Sequence, residues 1–503
     1  MNKYFYVIIL AMLASVEAEA QAVAKVEDKA PKPRLVVNIV VDQLCNDNLE
    51  EFMSLYGNDG WKKILAEGTV FSNAQMPFLP IDCASATAAL SSGSYPFYNG
   101  IPSEEWVSRK TTLLMGCTSD QTSLLSPRGS SPAPVNMLAS ALGDELKIAT
   151  ERRAKVYSVA VESEAAVFLA GHCADGVYWL DTNSGKWTAS AYYAEEPQWL
   201  RYFNERNVPA RKLKNSGRQF AGDMKYLDYK RSPEVNADVT DFALQCFAET
   251  LLGSDDDTDM LNVQYYAGTP YQGGKIDAKA GVRETYVALD MALGRLIKGI
   301  ESRVGKDKVL FTVTSTGYRE EVPVEYKEFN VPSGTVYINR TSNLLNMYLS
   351  AIYGQAHYVE GYRENQIYLD RKAIERRKLR LTEVLERCEE MLLMSDGIRD
   401  VHTLFSLTAA ADNTSQKLRN GMSTDVSGDI ILDIYPGWKI VNEDNSRVYT
   451  SRQYGFCFPI VFYGNGVRKE TVATGVTADR VAPTISKAIR IRAPNACKAE
   501  PLM

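Results

Sequence analysis

The sequence predicts an α/β protein built on a mainly parallel sheet, and three observations carry that reading. Residues 35–42, Leu-Val-Val-Asn-Ile-Val-Val-Asp, are an almost unbroken β-branched run ending on an acid, the pattern of a strand buried on both faces with a carboxylate at its C-terminal edge. Between Gly281 and Ile300, the residues Tyr286, Leu289, Leu293, Leu296, Ile297 and Ile300 recur on one helical face, and a second buried-type strand, Lys308 to Thr314, follows directly. Strand and helix alternate along much of the chain, as crossover units of a parallel sheet do. Such sheets place their sites at the carboxyl ends of the strands, so Asp42 is the first candidate for chemistry.

The chain has 503 residues, 45% hydrophobic and 10% aromatic, enough to bury one large core or two smaller ones. Residues 1–20 read as a secretory signal peptide: Lys3, an apolar run from Tyr4 to Val16, then Ala18-Glu19-Ala20 as a small-residue cleavage pattern. The run is shorter than the roughly 20 residues of a spanning helix, and no later stretch qualifies. A periplasmic or secreted mature chain without a membrane span is expected. Residues 21–34, with Pro31 and Pro33, read as a linker, and a core is expected over 35–336. Within it, Gly57 to Gly68 is a short helix, Thr69-Val70-Phe71 starts a strand, and Val135 to Ala149 is amphipathic and helical. Lys155 to Val161 is strand-like, with Glu162 and Glu164 at its end. From 337 to 425 the character changes to charged helix, most clearly from Asp370 to Met394, and reads as an inserted cap. The core is expected to resume over 426–503, with strands at Asp429–Leu432 and Phe458–Tyr463 and a helix at Ala478–Ile489.

The stretch from Leu79 to Trp106 is the expected centre of any chemistry. After Pro80, small and apolar residues of good helix propensity run from Cys83 to Leu90, which places Cys83 at a helix start, where unpaired N–H groups and the positive end of the dipole meet anions. The turn Tyr98-Asn99-Gly100 then brings a Ser-Glu-Glu-Trp run back past that point. The eight cysteines lie far apart without CxxC spacing, and none of the three histidines, 172, 357 and 402, has an acid at ligand spacing beside it. A net charge of −6, without a basic stripe interleaved with aromatics, argues against a nucleic-acid partner.

Across nearly the whole mature chain the sequence resembles the phosphate-irrepressible (PafA-like) alkaline phosphatases, within the superfamily that also holds the type I phosphodiesterases and nucleotide pyrophosphatases. The matching elements include Val41-Asp42-Gln43, the turn from Gly93-Ser94 to Gly100-Ile101, Ala170-Gly171-His172, the Tyr178-Trp179 hairpin and Gln366-Ile367-Tyr368-Leu369. They continue through Ser427-Gly428-Asp429, Pro436-Gly437-Trp438, Pro459 to Gly464 and Ala482-Pro483-Thr484. The resemblance implies an alkaline-phosphatase-like three-layer α/β/α sandwich with an inserted cap. It also implies, for active relatives, two zinc ions held by three aspartates and three histidines and a threonine nucleophile at a helix start.

Carried onto this chain, that site is degenerate. The first aspartate is Asp42, the nucleophile falls on Cys83, and the other ligand positions fall on Tyr265, Thr269, Ser315, Thr316 and Cys457. Hydroxyls and a phenol do not replace carboxylate and imidazole as zinc ligands at neutral pH. Dinuclear zinc is expected to be lost, and no cofactor is expected in its place, with calcium as the one exception. Where relatives hold phosphate with an Asn, a Lys and an Arg, this chain has Glu104, Glu162 and Glu164. Any one of these glutamates reads as a solvated surface residue; at three motif-defined positions together, and with Asp42 and Asp82, they read as an acidic pocket that repels phosphate. Such a cluster needs an offset: a hard cation such as calcium, a Lys or Arg from a partner or from the chain itself, or protonation. Cys83 is expected to be a small buried residue whose thiol the acids hold protonated, and a Cys83–Cys457 disulfide is the alternative pairing at this site. The sequence thus reads as an exported pseudophosphatase that binds or assembles with an envelope protein or a basic ligand. The alternatives are a weak or altered phosphoric ester hydrolase using Cys83, and a protein that binds cations through the acidic pocket.

Overall fold

The computed structural model describes residues 31–503 apart from 120–130, 216–217, 219, 221, 321–328, 446 and 451–454. The expected signal peptide and residues 21–30 of the linker lie outside the described residues. The chain forms an α/β sandwich around one large sheet. Its strands are β1 (Leu35–Asp42), β2 (Thr69–Gln75), β3 (Val156–Ala160), β4 (Gly176–Leu180), β5 (Trp187–Ala189), β6 (Asp259–Tyr266), β7 (Val309–Ser315), β8 (Phe458–Gly464), β9 (Glu470–Val472) and β10 (Val476–Thr477). The order is β9-β2-β8-β7-β1-β6-β3-β4-β5, with β10 on β2. The central run β7-β1-β6-β3-β4 is parallel throughout, and β8 is antiparallel to both β7 and β2.

Side chains alternate across β1 as the pleat requires. Val36 and Val40 face one hydrophobic layer, which contains helices α1 (Cys83–Ser92), α2 (Ser163–Ala170) and, further along the chain, α6 (Val481–Ile489). Leu35, Val37, Ile39 and Val41 face the other layer, with α4 (Val235–Thr250) and α5 (Arg283–Val304); a short helix, α3 (Lys225–Lys230), precedes α4. Because the sheet is covered on both faces, every residue of β1 is buried, which is why that strand reads as continuously apolar rather than alternating.

The inserted region runs further along the chain than its charged helices suggest. It begins with a strand at Gly334–Tyr337, and the strands at Ile430–Ile434, Trp438–Asn442 and Arg447–Tyr449 still belong to it. Ile430–Ile434 pairs with Gln366–Leu369 and Ile398–Thr403, not with the main sheet. Its apolar side chains, Ile430, Leu432 and Ile434, pack with Leu345, Leu349, Val384 and Leu392 in a third hydrophobic cluster. An apolar strand shows that it is buried and not which sheet buries it, so the expected return to the core at residue 426 falls later, at β8. The expected helix over 135–149 is likewise shortened to Leu142–Ala149.

Candidate functional site

The site lies at the carboxyl ends of β1, β6, β3 and β7, where α1 begins. Asp82 caps α1: its Oδ1 accepts from the Ser85 backbone N–H at 2.8 Å, and the Ser85 hydroxyl accepts from the Asp82 N–H at 3.0 Å. Its Oδ2 accepts from the Glu104 N–H at 2.8 Å, so the returning Ser-Glu-Glu-Trp segment is pinned beside the helix start. Asp82 therefore serves the backbone. Cys83, at the first helical position, is 2% exposed, and its Sγ accepts from Gln264 Nε2 at 3.2 Å. Gln264 is itself fixed, its Oε1 accepting from the Val161 and Glu162 N–H groups. Burial first, then Asp42, Glu164, Glu104 and Glu162, push the Cys83 thiol well above its ordinary range. The structure thus brings Asp42, Cys83, Glu104, Glu162 and Glu164 into one electrostatic neighbourhood.

Asp42 is 3% exposed. Burial raises its carboxyl to about 6, against the opposing pull of Arg231 and of the Thr316 hydroxyl, which donates to Oδ1 at 3.0 Å. The same hydroxyl accepts from the Gln43 N–H at 3.0 Å. Ser315 turns its hydroxyl to the Leu44 carbonyl at 2.7 Å. Tyr265 is not brought to the site: its phenol meets Thr240 on α4 at 2.7 Å, on the opposite face of the sheet. The neighbouring Tyr266 is the one on the side of Asp42, with which it is in register, and its hydroxyl donates to the carbonyl of buried Thr269 at 2.6 Å. The Cys457 Sγ donates to Asn73 at 3.1 Å and accepts from Gln75 at 3.2 Å, and neither it nor Cys83 is in a disulfide.

A dinuclear zinc centre of the kind the resemblance implies would need carboxylate and imidazole donors. Of the six positions to which the resemblance assigns ligands, only Asp42 carries a carboxylate, and the Thr316 hydroxyl donates to it. All three histidines of the chain lie elsewhere. His172 is held between Asp144 at 2.9 Å and the Met137 carbonyl at 3.1 Å, and His357 and His402 lie in the inserted region. Among the described residues no cluster of three or more His, Cys, Asp or Glu is arranged to hold a metal ion.

Two residues that sequence reasoning missed change the charge of the pocket. Lys230, the last residue of α3, places its Nζ 2.6 Å from Glu162 Oε2, and Arg231 places Nε 3.2 Å from Glu162 Oε1. Burial works against the Glu162 charge, but Lys230 and Arg231 overcome it and hold the carboxyl at about 2. Arg231 also reaches Glu320 Oε1 at 3.6 Å, and Glu320 is bonded by the Tyr271 hydroxyl. Glu164 has the opposite shift: burial and the neighbouring Glu162 raise it, while the Ser163 hydroxyl donates to it at 3.0 Å. Glu162, Glu320, Lys230 and Arg231 therefore form a mixed ion-pair network and not a bare set of acids. Lys230 and Arg231 lie in KYLDYKRSP, where no spacing ties them to Glu162, and only the folded contact after β3 reveals their role.

With this geometry in hand, comparison with known proteins places the chain. It belongs to the type I phosphodiesterase/nucleotide pyrophosphatase family, whose family model matches residues 36–456. Among individual relatives, it is 25% identical to alkaline phosphatase PafA of Elizabethkingia meningoseptica over 95% of each chain. It is 26% identical to a protein named calcium-transporting ATPase from Myroides odoratus, over 93% of this chain and 94% of that one. The crystal structure of wild-type PafA matches with a TM-score of 0.79 at 24% identity, covering 94% of this chain and 98% of the other, so the fold is that of an alkaline phosphatase.

Proposed function

We propose that this protein is a hydrolytically inactive member of its family, exported by its N-terminal leader and kept for binding or assembly in the cell envelope. The observation that carries the reading is the partnering of Asp42. The one carboxylate left among six ligand positions is hydrogen-bonded by Thr316, a hydroxyl where relatives are expected to have a metal ligand, and no imidazole lies near it. Phosphoryl transfer needs positioned positive charge against the developing anion. Two nearby cations among the described residues, Lys230 and Arg231, are already bound to Glu162, and Arg231 to Glu320 as well. Cys83 does not supply a substitute mechanism, because a buried thiol among carboxylates is kept protonated and unreactive.

The experiment is a panel of phosphate mono- and diesters given to the purified full chain with and without added zinc. Turnover at background in both conditions is expected. Zinc-stimulated hydrolysis that disappears in Cys83→Ala overturns the proposal and makes the chain an altered hydrolase.

A further inference from the structure

We propose that Arg231 is a built-in counter-ion that occupies the acidic site across the ends of β1 and β6 and keeps divalent cations out of it. The inference rests on the reading of this site as a remade one and says what now fills it. The sheet order itself places the side chain. Glu162 follows β3 and Glu320 follows β7, and between those strands lie β6 and β1. A group that touches both glutamates must span the ends of β1 and β6. Arg231 does so, with Nε 3.2 Å from Glu162 and Nη1 3.6 Å from Glu320. Beneath that span is Tyr266, the last residue of β6, with its ring centroid 5.7 Å from the guanidinium carbon, and opposite Tyr266 in register stands Asp42. Tyr271 presents a second ring at 5.5 Å.

The position of Arg231 is fixed by backbone contacts. Its carbonyl accepts from the Tyr271 N–H at 3.0 Å, and Ser232 closes the turn onto the Tyr229 carbonyl at 2.7 Å. Asn236 on α4 bonds both the N–H and the carbonyl of Tyr266, at 2.9 and 2.8 Å. The guanidinium is thus held against the strand end rather than swinging from a loop. Its charge is also not used up by Glu162, since Lys230 sits on the same carboxylate at 2.6 Å with only 3% of its side chain exposed. The surplus falls to Glu320 and Asp42. Carboxylate oxygens are the donors a hard cation takes; with Arg231 between them, Glu162, Glu320 and Asp42 form no such group among the described residues, and a guanidinium that cannot lose its proton excludes the cation by charge and by bulk.

The test is calcium titration, by calorimetry and by thermal melting, of the full chain as wild type, Arg231→Lys and Arg231→Met. Wild type and the lysine variant are expected to show no calcium-dependent shift. Arg231→Met is expected to bind calcium and to gain roughly 3–5 °C in melting temperature at a hundredfold excess over Kd, and to lose that gain when Glu320→Gln is added. Calcium binding by wild type as tight as by Arg231→Met overturns the proposal, as does a folded Arg231→Met that binds none. If Arg231→Met alone fails to fold, rescue by calcium or by Glu320→Gln supports the counter-ion role, and failure of both overturns it. No arm reads phosphoester turnover, so hydrolysis by wild type would overturn the proposed function without deciding this result.

Discussion

Asp42 is buried and Glu162 partly buried at strand ends, yet their environments push the two carboxyls in opposite directions, and the sign of each is open to measurement. Glu162 is held at about 2 in the folded chain against an ordinary 4.5. Its stabilising contribution is therefore complete above pH 4.5 and lost as the pH falls from there through 2. Glu162→Gln leaves buried Lys230 and partly buried Arg231 with less to bind, and should lower stability at pH 7 by about 2–4 kcal/mol, a difference that narrows below pH 4.5; urea midpoints across pH check it. Asp42 is raised from 3.8 to about 6, so the folded chain binds the extra proton between those values and loses stability as the pH rises through them. Asp42→Asn keeps an oxygen to accept from Thr316 and removes the buried charge. It should melt higher than wild type at pH 8, with the advantage gone at pH 3.5; a lower melting temperature at pH 8 would show that the Asp42 charge is needed by the fold.

At the level of elements, the site depends on the loop into α1, and the inserted region holds that loop. The Leu79 N–H donates to the Lys417 carbonyl at 3.0 Å and the Asn420 side chain to the Pro77 carbonyl at 2.9 Å, both from the helix Asn413–Gly421. A Cβ on Gly421 would stand 1.9 Å from the Leu79 carbonyl oxygen, a backbone atom that cannot rotate away. Gly421→Ala should therefore shift the loop and cost about 1–3 kcal/mol, while also loosening the Asp82 cap; hydrogen exchange of the Cys83–Ala86 amides would report the coupling. Protection unchanged from wild type would mean that the cap and α1 are independent. The helix start at Cys83 was legible because small residues after a proline have a local signature. The strap from Gly421 was not, because a glycine distant in sequence shows nothing of the carbonyl it faces. Side-chain direction escaped in the same way at Tyr265. Aligned to a ligand position, it faces α4, since a strand's pleat sends neighbouring residues to opposite faces and only the three-dimensional register decides which is which.

For the molecule as a whole, the scaffold and the chemistry come from different kinds of sequence signal. β1, β7, β8, α5 and α6 could be read because burial on both faces, or on one helical stripe, writes itself into consecutive residues. The ion pairs at the site join Glu162 to Lys230 and Arg231 from another segment, and Arg231 to Glu320 from a third, and such pairs leave no periodicity. Where the main sheet is held by a hydrophobic cluster on each face and the strand ends by this internal network, stability does not have to come from bound metal. In a protein built around dinuclear zinc, the binding free energy is part of the folding free energy, and a chelator removes it. Here the volume around Asp42 is occupied by Thr316 and spanned by Arg231, so EDTA should leave the melting temperature within about 1 °C of the untreated value, and stoichiometric zinc should not raise it. A drop of several degrees on chelation, restored by two equivalents of zinc, would mean that a metal centre assembles from ligands other than those its relatives are expected to use, and the reading of the site as an internally neutralised one would fall with it.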